Sequence, residues 1–187
     1  MQMQLSTVAI LLGSILALIN LFGVIKPVQF GDALRKFPRA TNIGYVLILL
    51  GTFWFVWNLK NESIADFESL KPILYGLFIA VGVGTCIFVK DFIAVRGLAV
   101  IFLLLAKTMV DAGRPRLGES PWILVIQFWA YAFVVLGIWF TVSPWRLRDI
   151  LNWSTANEKR VRVGSTLRMA FGIFVAILGL TVFKLNP

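Results

Sequence analysis

The sequence predicts an all-α membrane protein with six transmembrane helices arranged as three hairpins. Apolar residues make up 59% of the 187 residues and charged residues only 14%, whereas soluble domains average roughly half and a quarter. The apolar residues collect in six long stretches with few charges, each near the ~20 residues that cross a bilayer core. Because lipid offers no hydrogen bonds, the backbone of each stretch is predicted to be helical.

The predicted spans leave no length for a soluble domain, so residues 1–187 are expected to form a single transmembrane domain. The bounds are Leu5–Ile25, Thr41–Asn58, Pro72–Val89, Asp91–Ala112, Pro121–Val142 and Gly164–Leu185. The first span is expected to be a true helix, since no positive charge precedes it and no small-residue cleavage pattern follows it. The fourth is the least apolar span, because it contains Arg96, Lys107 and Asp111.

The net charge of +9 predicts how the protein is oriented in the membrane, and it needs no ligand to explain it. With six spans, loops 26–40, 90–96 and 143–163 lie on one side. Twelve of the eighteen basic residues lie in or beside these loops: Lys26, Arg35, Lys36, Arg39, Lys90, Arg96, Arg146, Arg148, Lys159, Arg160, Arg162 and Arg168. Basic residues favour the cytoplasmic side, which predicts cytoplasmic loops and both termini outside. The short loops favour a bacterial inner membrane, and the charge requires no nucleic acid as partner.

Two of these loops carry short amphipathic segments, typical of helices that lie at a membrane surface. Phe30 and Leu34 recur at near-helical spacing in the first loop, as do Leu147 and Leu151 in the fifth. The motif Thr155-Ala-Asn-Glu158 has the form of a capping box. It predicts that the last helix begins at Thr155 and continues into the sixth span.

The first and fifth loops also resemble each other. Pro27, Phe30, Asp32 and Leu34 match Pro144, Leu147, Asp149 and Leu151 at identical spacings, and Gly44–Gly51 matches Gly172–Gly179. One interpretation is a parallel repeat of the first and third hairpins, as in some transporters. The other is that all loops beside a membrane share proline, charged and aromatic residues.

Lys107 and Asp111 form the main candidate binding site. They lie four residues apart, so they share one helix face, and a charge inside a membrane is by default a functional hypothesis. Arg114 and Arg116 follow directly. Together the four residues are expected to form an outward-facing cationic pocket for an anionic headgroup or a small anion. The alternative is a structural ion pair, with the Lys107 ammonium reaching toward water.

Catalytic and metal chemistry have little support in this composition. The chain has no histidine and one cysteine, so no histidine base and no histidine-ligated metal is expected. Cys86 lies in the third span beside small residues, where a buried, inert thiol is the expected role. No catalytic residue, metal or cofactor is therefore predicted.

Three functions stay open. The sequence favours a non-catalytic accessory or scaffold subunit, with a membrane-protein partner or a second copy of the chain packed against it in the bilayer. The first alternative is a small transporter or a lipid- or anion-binding protein that uses the Lys107–Asp111 pair. The second alternative is an enzyme acting on lipid headgroups, which has the least support, because a lone acid without histidine or cysteine is poor catalytic equipment.

Overall fold

The computed structural model describes residues 4–62 and 65–184, and these residues form helices and no strands. The eight α-helices are α1 (Leu5–Ile25), α2 (Pro27–Lys36), α3 (Thr41–Asn61), α4 (Lys71–Phe88), α5 (Ile93–Gly113), α6 (Ile123–Val142), α7 (Trp145–Ser154) and α8 (Glu158–Leu180). Six of them, α1, α3, α4, α5, α6 and α8, are long and apolar enough to cross a membrane. The predicted all-α fold with six spans is confirmed.

Both amphipathic loop segments are helices, as predicted. α2 and α7 each contain ten residues, and each begins at or directly after a proline, which fixes φ near the helical value. Phe30 of α2 and Leu147 of α7, which match in the two loops, are both buried. The remaining faces of these helices are mostly polar, so each helix buries one apolar stripe.

The last helix begins three residues later than predicted. α8 starts at Glu158, because the Asn157 side chain accepts a hydrogen bond from the backbone N–H of Arg160 at 2.8 Å and caps the helix. Thr155 cannot serve as the cap, since its hydroxyl donates to the carbonyl of Leu151 at 2.7 Å and accepts from Arg35 Nε at 2.8 Å. The predicted end of this span, Leu185, lies outside the described residues, and α8 ends at Leu180.

The fourth span also begins later than predicted, at Ile93 and not at Asp91. Phe92 has a φ of 52°, a left-handed conformation that bulky residues rarely adopt. Phe92 forms part of the turn between α4 and α5, and Asp91 belongs to the same turn. Arg96 lies inside the first turns of α5, where its guanidinium donates to the carbonyl of Thr141 at 3.3 Å.

The contacts of the chain divide into two compact units. The first contains Met1–Lys36, Leu105–Val135 and Arg148–Pro187, and the second contains Phe37–Leu104 and Leu136–Leu147. The single transmembrane domain over residues 1–187 stays a prediction.

In the first unit, α1 and α8 pack antiparallel with their backbones in contact. A Cβ on Gly13 would lie 2.6 Å from the carbonyl oxygen of Gly172, and a Cβ on Gly172 would lie 2.7 Å from the carbonyl oxygen of Gly13. Gly179 likewise meets the backbone of Ser6 and Ile10. Small residues allow such close approach of membrane helices, which gains van der Waals contact that larger side chains would prevent.

The apolar core of the first unit is built around these two helices. It is formed by Leu5, Val8, Ala9, Met109, Ala112, Ile123, Ile126, Ala130, Val175, Leu178 and Phe183. The last part of α5 and the first part of α6 supply its middle members. Trp129 and Phe171 meet edge to face beside the core, with ring centroids 5.2 Å apart, an arrangement that aromatic pairs prefer.

In the second unit, α3 packs against α5 through glycines on both helices. A Cβ on Gly44 would lie 2.7 Å from the backbone nitrogen of Ala94, and a Cβ on Gly97 would lie 3.1 Å from the backbone nitrogen of Ile48. α4 packs on α3 at Gly82, which meets the Thr52 side chain. Both glycine pairs of the matching segments, Gly44–Gly51 and Gly172–Gly179, therefore face a neighbouring helix closely.

Candidate functional site

Lys107 and Asp111 are brought together on α5 as their spacing predicts. The lysine Nζ lies 2.5 Å from Asp111 Oδ2, and the two side chains are 40% and 44% exposed. Asp111 lies two residues and Lys107 six residues before Gly113, the end of the helix. At 1.5 Å per residue these positions are about 3 Å and 9 Å from that end. The pair is thus a half-exposed ion pair in the last third of the span.

The two arginines of the candidate pocket have different surroundings. Arg114 is exposed. Arg116 is mostly covered and donates from Nε to Glu119 Oε2 at 2.8 Å and from a terminal nitrogen to the carbonyl of Phe183 at 2.9 Å. Phe183 is only 2% exposed, so this bond fastens the chain beyond α8 to the connection between α5 and α6. The described bonds of Arg116 give it a structural role in addition to its charge.

Two polar residues of α6, Gln127 and Tyr131, differ in their exposure. Gln127 is 7% exposed and its amide meets Gly113, where a larger residue would collide with it. Its Nε2 has no hydrogen-bond partner within the described chain. Tyr131, by contrast, is 61% exposed. Gln127 therefore packs into the junction of α5 and α6, whereas Tyr131 lies on the outer surface of its helix.

A cationic cavity that the sequence did not predict lies where α7 meets α8 in the first unit. It has a volume of about 440 Å³, and its lining includes Trp153, Lys159, Arg160, Gly164 and Arg168. The Arg160 guanidinium carbon lies 5.3 Å from the centroid of the Trp153 ring, within range of a cation–π contact. The sequence shows the three cations but cannot show that Trp153 contacts Arg160.

α4 carries a second feature of interest, an open apolar face. We define this open face by Ile73, Gly76, Ala80, Val83 and Ile87. Its members lie about half a turn from Phe78 and Gly82, which line a cavity of about 210 Å³ together with residues of α3 and α5. No atom lies within 4 Å of a Cβ placed on Gly76. The open face is therefore uncovered within the described chain.

The described residues contain no cluster of three or more histidine, cysteine or carboxylate side chains that could hold a metal ion. Cys86 is a free thiol of intermediate burial on α4. The protein is a polytopic integral membrane protein by the length and composition of its six apolar helices. No protein-family model, no curated protein and no solved structure matches this chain.

Proposed function

We propose that this protein is a non-catalytic accessory subunit that packs against a transmembrane helix of a partner protein through the open face of α4. The observation that carries the proposal is the low burial of this span. Only 6% of the α4 span is buried within the chain, compared with 44% of the α5 span and 33% of the α6 span. α4 is thus the helix with most surface left for another protein.

The composition of the open face supports a helix as its occupant. Gly76 and Ala80 are four residues apart and both exposed, and Gly84 follows at the same spacing beside them. Without a hydrophobic driving force in lipid, membrane helices associate where small residues let the backbones approach. The glycines of α1, α3, α5 and α8 already serve such contacts within the chain. Gly76 of the open face has no such contact within the described chain.

The test is affinity purification from the native membrane in mild detergent, comparing the wild-type chain with the Gly76→Ile/Ala80→Ile variant. We expect the wild type to bring down a stoichiometric partner and the variant to lose it, because two branched side chains would hold the helices apart. Ala170→Ile is the matched control, since Ala170 is an exposed alanine on another span, α8. It is expected to retain the partner.

Two results would contradict the proposal. In the first, the wild type purifies alone as a monomer. In the second, the partner stays bound to the double variant at the wild-type ratio, which would show that the interface lies on another face. A second copy of the chain in place of a different protein is distinguished by native mass spectrometry, because the mass would then be a multiple of 21.0 kDa.

We further propose that the protein lies in a bacterial inner membrane with both termini outside and with loops 26–40, 90–96 and 143–163 in the cytoplasm. The support is the clustering of basic residues beside these loops, which the positive-inside rule relates to orientation. This orientation places the connection between α5 and α6, with Arg114 and Arg116, outside. The cationic cavity of α7 and α8 then faces the cytoplasm.

Single-cysteine labelling tests this orientation. In a Cys86→Ala background, Gln4→Cys is expected to react with a membrane-impermeant maleimide on intact cells, whereas Ala156→Cys reacts only after the cells are permeabilised. Both positions are exposed, so burial would not explain a difference between them. Labelling in the opposite pattern would reverse the orientation.

A second candidate function is the binding of an anion or lipid at the outer end of α5. Its support is the half-exposed pair of Lys107 and Asp111, with the exposed Arg114 one helical turn further on. Asp111 neutralises Lys107 and Glu119 neutralises Arg116, so the net cationic charge of this candidate pocket rests on Arg114. The Lys107→Leu/Asp111→Leu variant separates this role from a structural one.

A further inference from the structure

We propose that the cavity where α7 meets α8 is a binding site for the phosphate-bearing headgroup of an anionic phospholipid. This site goes beyond the accessory role, because it would be occupied whether or not a protein partner is bound. The cavity volume of about 440 Å³ lies in the range of small-molecule sites.

The lining of the cavity is positively charged. Three of the eight lining residues are cationic, namely Lys159, Arg160 and Arg168, and none is acidic. The nearest acid along the chain, Glu158, is held by Arg162 at 2.8 Å. Within the described chain, Lys159 and Arg168 make no hydrogen bond or ion pair that would neutralise them. A phosphate is the group that such a cluster of lysine and arginine recognises.

The fold positions the two arginines of the lining. Arg160 donates to the carbonyl of Trp153 at 3.2 Å and lies over its ring. Arg168 leans back toward the start of α8, as helical side chains do, so that its terminal nitrogen would lie 3.5 Å from a Cβ on Gly164. The absence of a side chain at Gly164 leaves the space between the cations open.

A buried polar residue, Ser165, lies beside these two arginines but outside the lining of the cavity. Ser165 is fully buried, and its hydroxyl has no hydrogen-bond partner within the described chain. It lines a small pocket of about 10 Å³ that shares Arg160 and Arg168 with the larger cavity. A pocket of about 10 Å³ has room for one water molecule at most, so this hydroxyl is out of reach of a headgroup in the larger cavity.

The position of the cavity indicates a lipid as the source of the phosphate. It lies at the start of α8, one of the six spans, and Val163 supplies an apolar wall that is 51% exposed. Trp153 is 69% exposed, and tryptophan prefers the headgroup level of a bilayer. Basic pockets between membrane helices at this level bind anionic headgroups.

The test measures lipid binding by the purified full chain in detergent, using dioleoyl phosphatidylglycerol, dioleoyl phosphatidylcholine and inorganic phosphate as probes. We expect phosphatidylglycerol to raise the melting temperature saturably and the other two probes to have little effect. Lys159→Gln and Arg168→Gln are each expected to weaken phosphatidylglycerol binding about fivefold. Gly164→Leu keeps every charge but places a branched side chain beside the Arg168 guanidinium, and it is expected to abolish saturable binding.

Lys36→Gln is the matched control, because Lys36 is an exposed cation of the same unit that does not line the cavity. It is expected to bind the lipid as the wild type does. An equal loss of phosphatidylglycerol binding in this variant would overturn the site, since it would show that the lipid is attracted to basic residues in general. Equal stabilisation by phosphatidylcholine would also overturn it, and protection by inorganic phosphate alone would replace the lipid by a free anion.

Discussion

Replacing Gly172 with alanine is expected to lower the free energy of unfolding by about 1–3 kcal/mol, the usual cost of adding a methyl group to a packed core. The new Cβ would lie 2.7 Å from the carbonyl oxygen of Gly13 and 2.8 Å from the backbone nitrogen of Ala17. Backbone atoms cannot move aside as a flexible side chain can. α1 and α8 must therefore separate, which opens the core on both sides of the contact.

Gly76→Ala is the matched control, because it adds the same methyl group to another membrane helix where no atom lies within 4 Å. Alanine is also the better helix former. The melting temperature of the purified protein is expected to fall by several degrees for Gly172→Ala and to stay level or rise slightly for Gly76→Ala. An equal effect in the two variants would contradict the close contact of α1 and α8.

Asp111→Leu is expected to lower the free energy of unfolding by about 1–2 kcal/mol, less than the cost of a charge at the bilayer centre because the site is near the helix end. The substitution removes the carboxylate that the Lys107 ammonium meets at 2.5 Å and leaves the lysine charge in the span. Lys107→Leu has the converse effect. The Lys107→Leu/Asp111→Leu double variant is expected to recover most of the loss, because no charge is then left behind.

The control is the same double-mutant cycle on Glu158 and Arg162. This pair has the same four-residue spacing and a 2.8 Å separation, but its side chains are 56% and 53% exposed, so its coupling is expected to be below about 0.5 kcal/mol. No recovery in the Lys107→Leu/Asp111→Leu variant would contradict a structural pair. If that variant is stable but loses binding or uptake of an anion, the residues serve a ligand and the second candidate function gains support.

The two surfaces with proposed ligands lie on different units of the chain. The open face of α4 belongs to the second unit, and the cationic cavity of α7 and α8 belongs to the first. Gly76→Ile/Ala80→Ile and Gly164→Leu therefore change separate sites. The partner experiment and the lipid experiment can be interpreted independently of each other.

In the candidate site, the spacing of residues along the sequence predicted some side-chain contacts and not others. The pairing of Lys107 with Asp111 was predictable, because a separation of four residues places both on one helix face. The bond from Arg116 to the carbonyl of Phe183 was not, since 67 residues separate them. Similarly, Trp153 and Arg160 meet across the bend between α7 and α8. The geometry of this bend depends on which residue caps the start of α8. Thr155 resembled that cap in sequence, but Asn157 forms it.

The sequence by itself determined that the protein lies in a lipid bilayer, that it has six spans and that two of its loops contain short helices. Hydrophobicity and helical periodicity are local properties, and in lipid a long apolar segment has no alternative to a helix. Only the tertiary structure decided that the first span packs on the last through Gly13 and Gly172, and that α4 keeps an open face. Small-residue pairs occur on several spans, and nothing local distinguishes those that meet a neighbour. That choice depends on which backbones can approach, which is a property of the whole bundle.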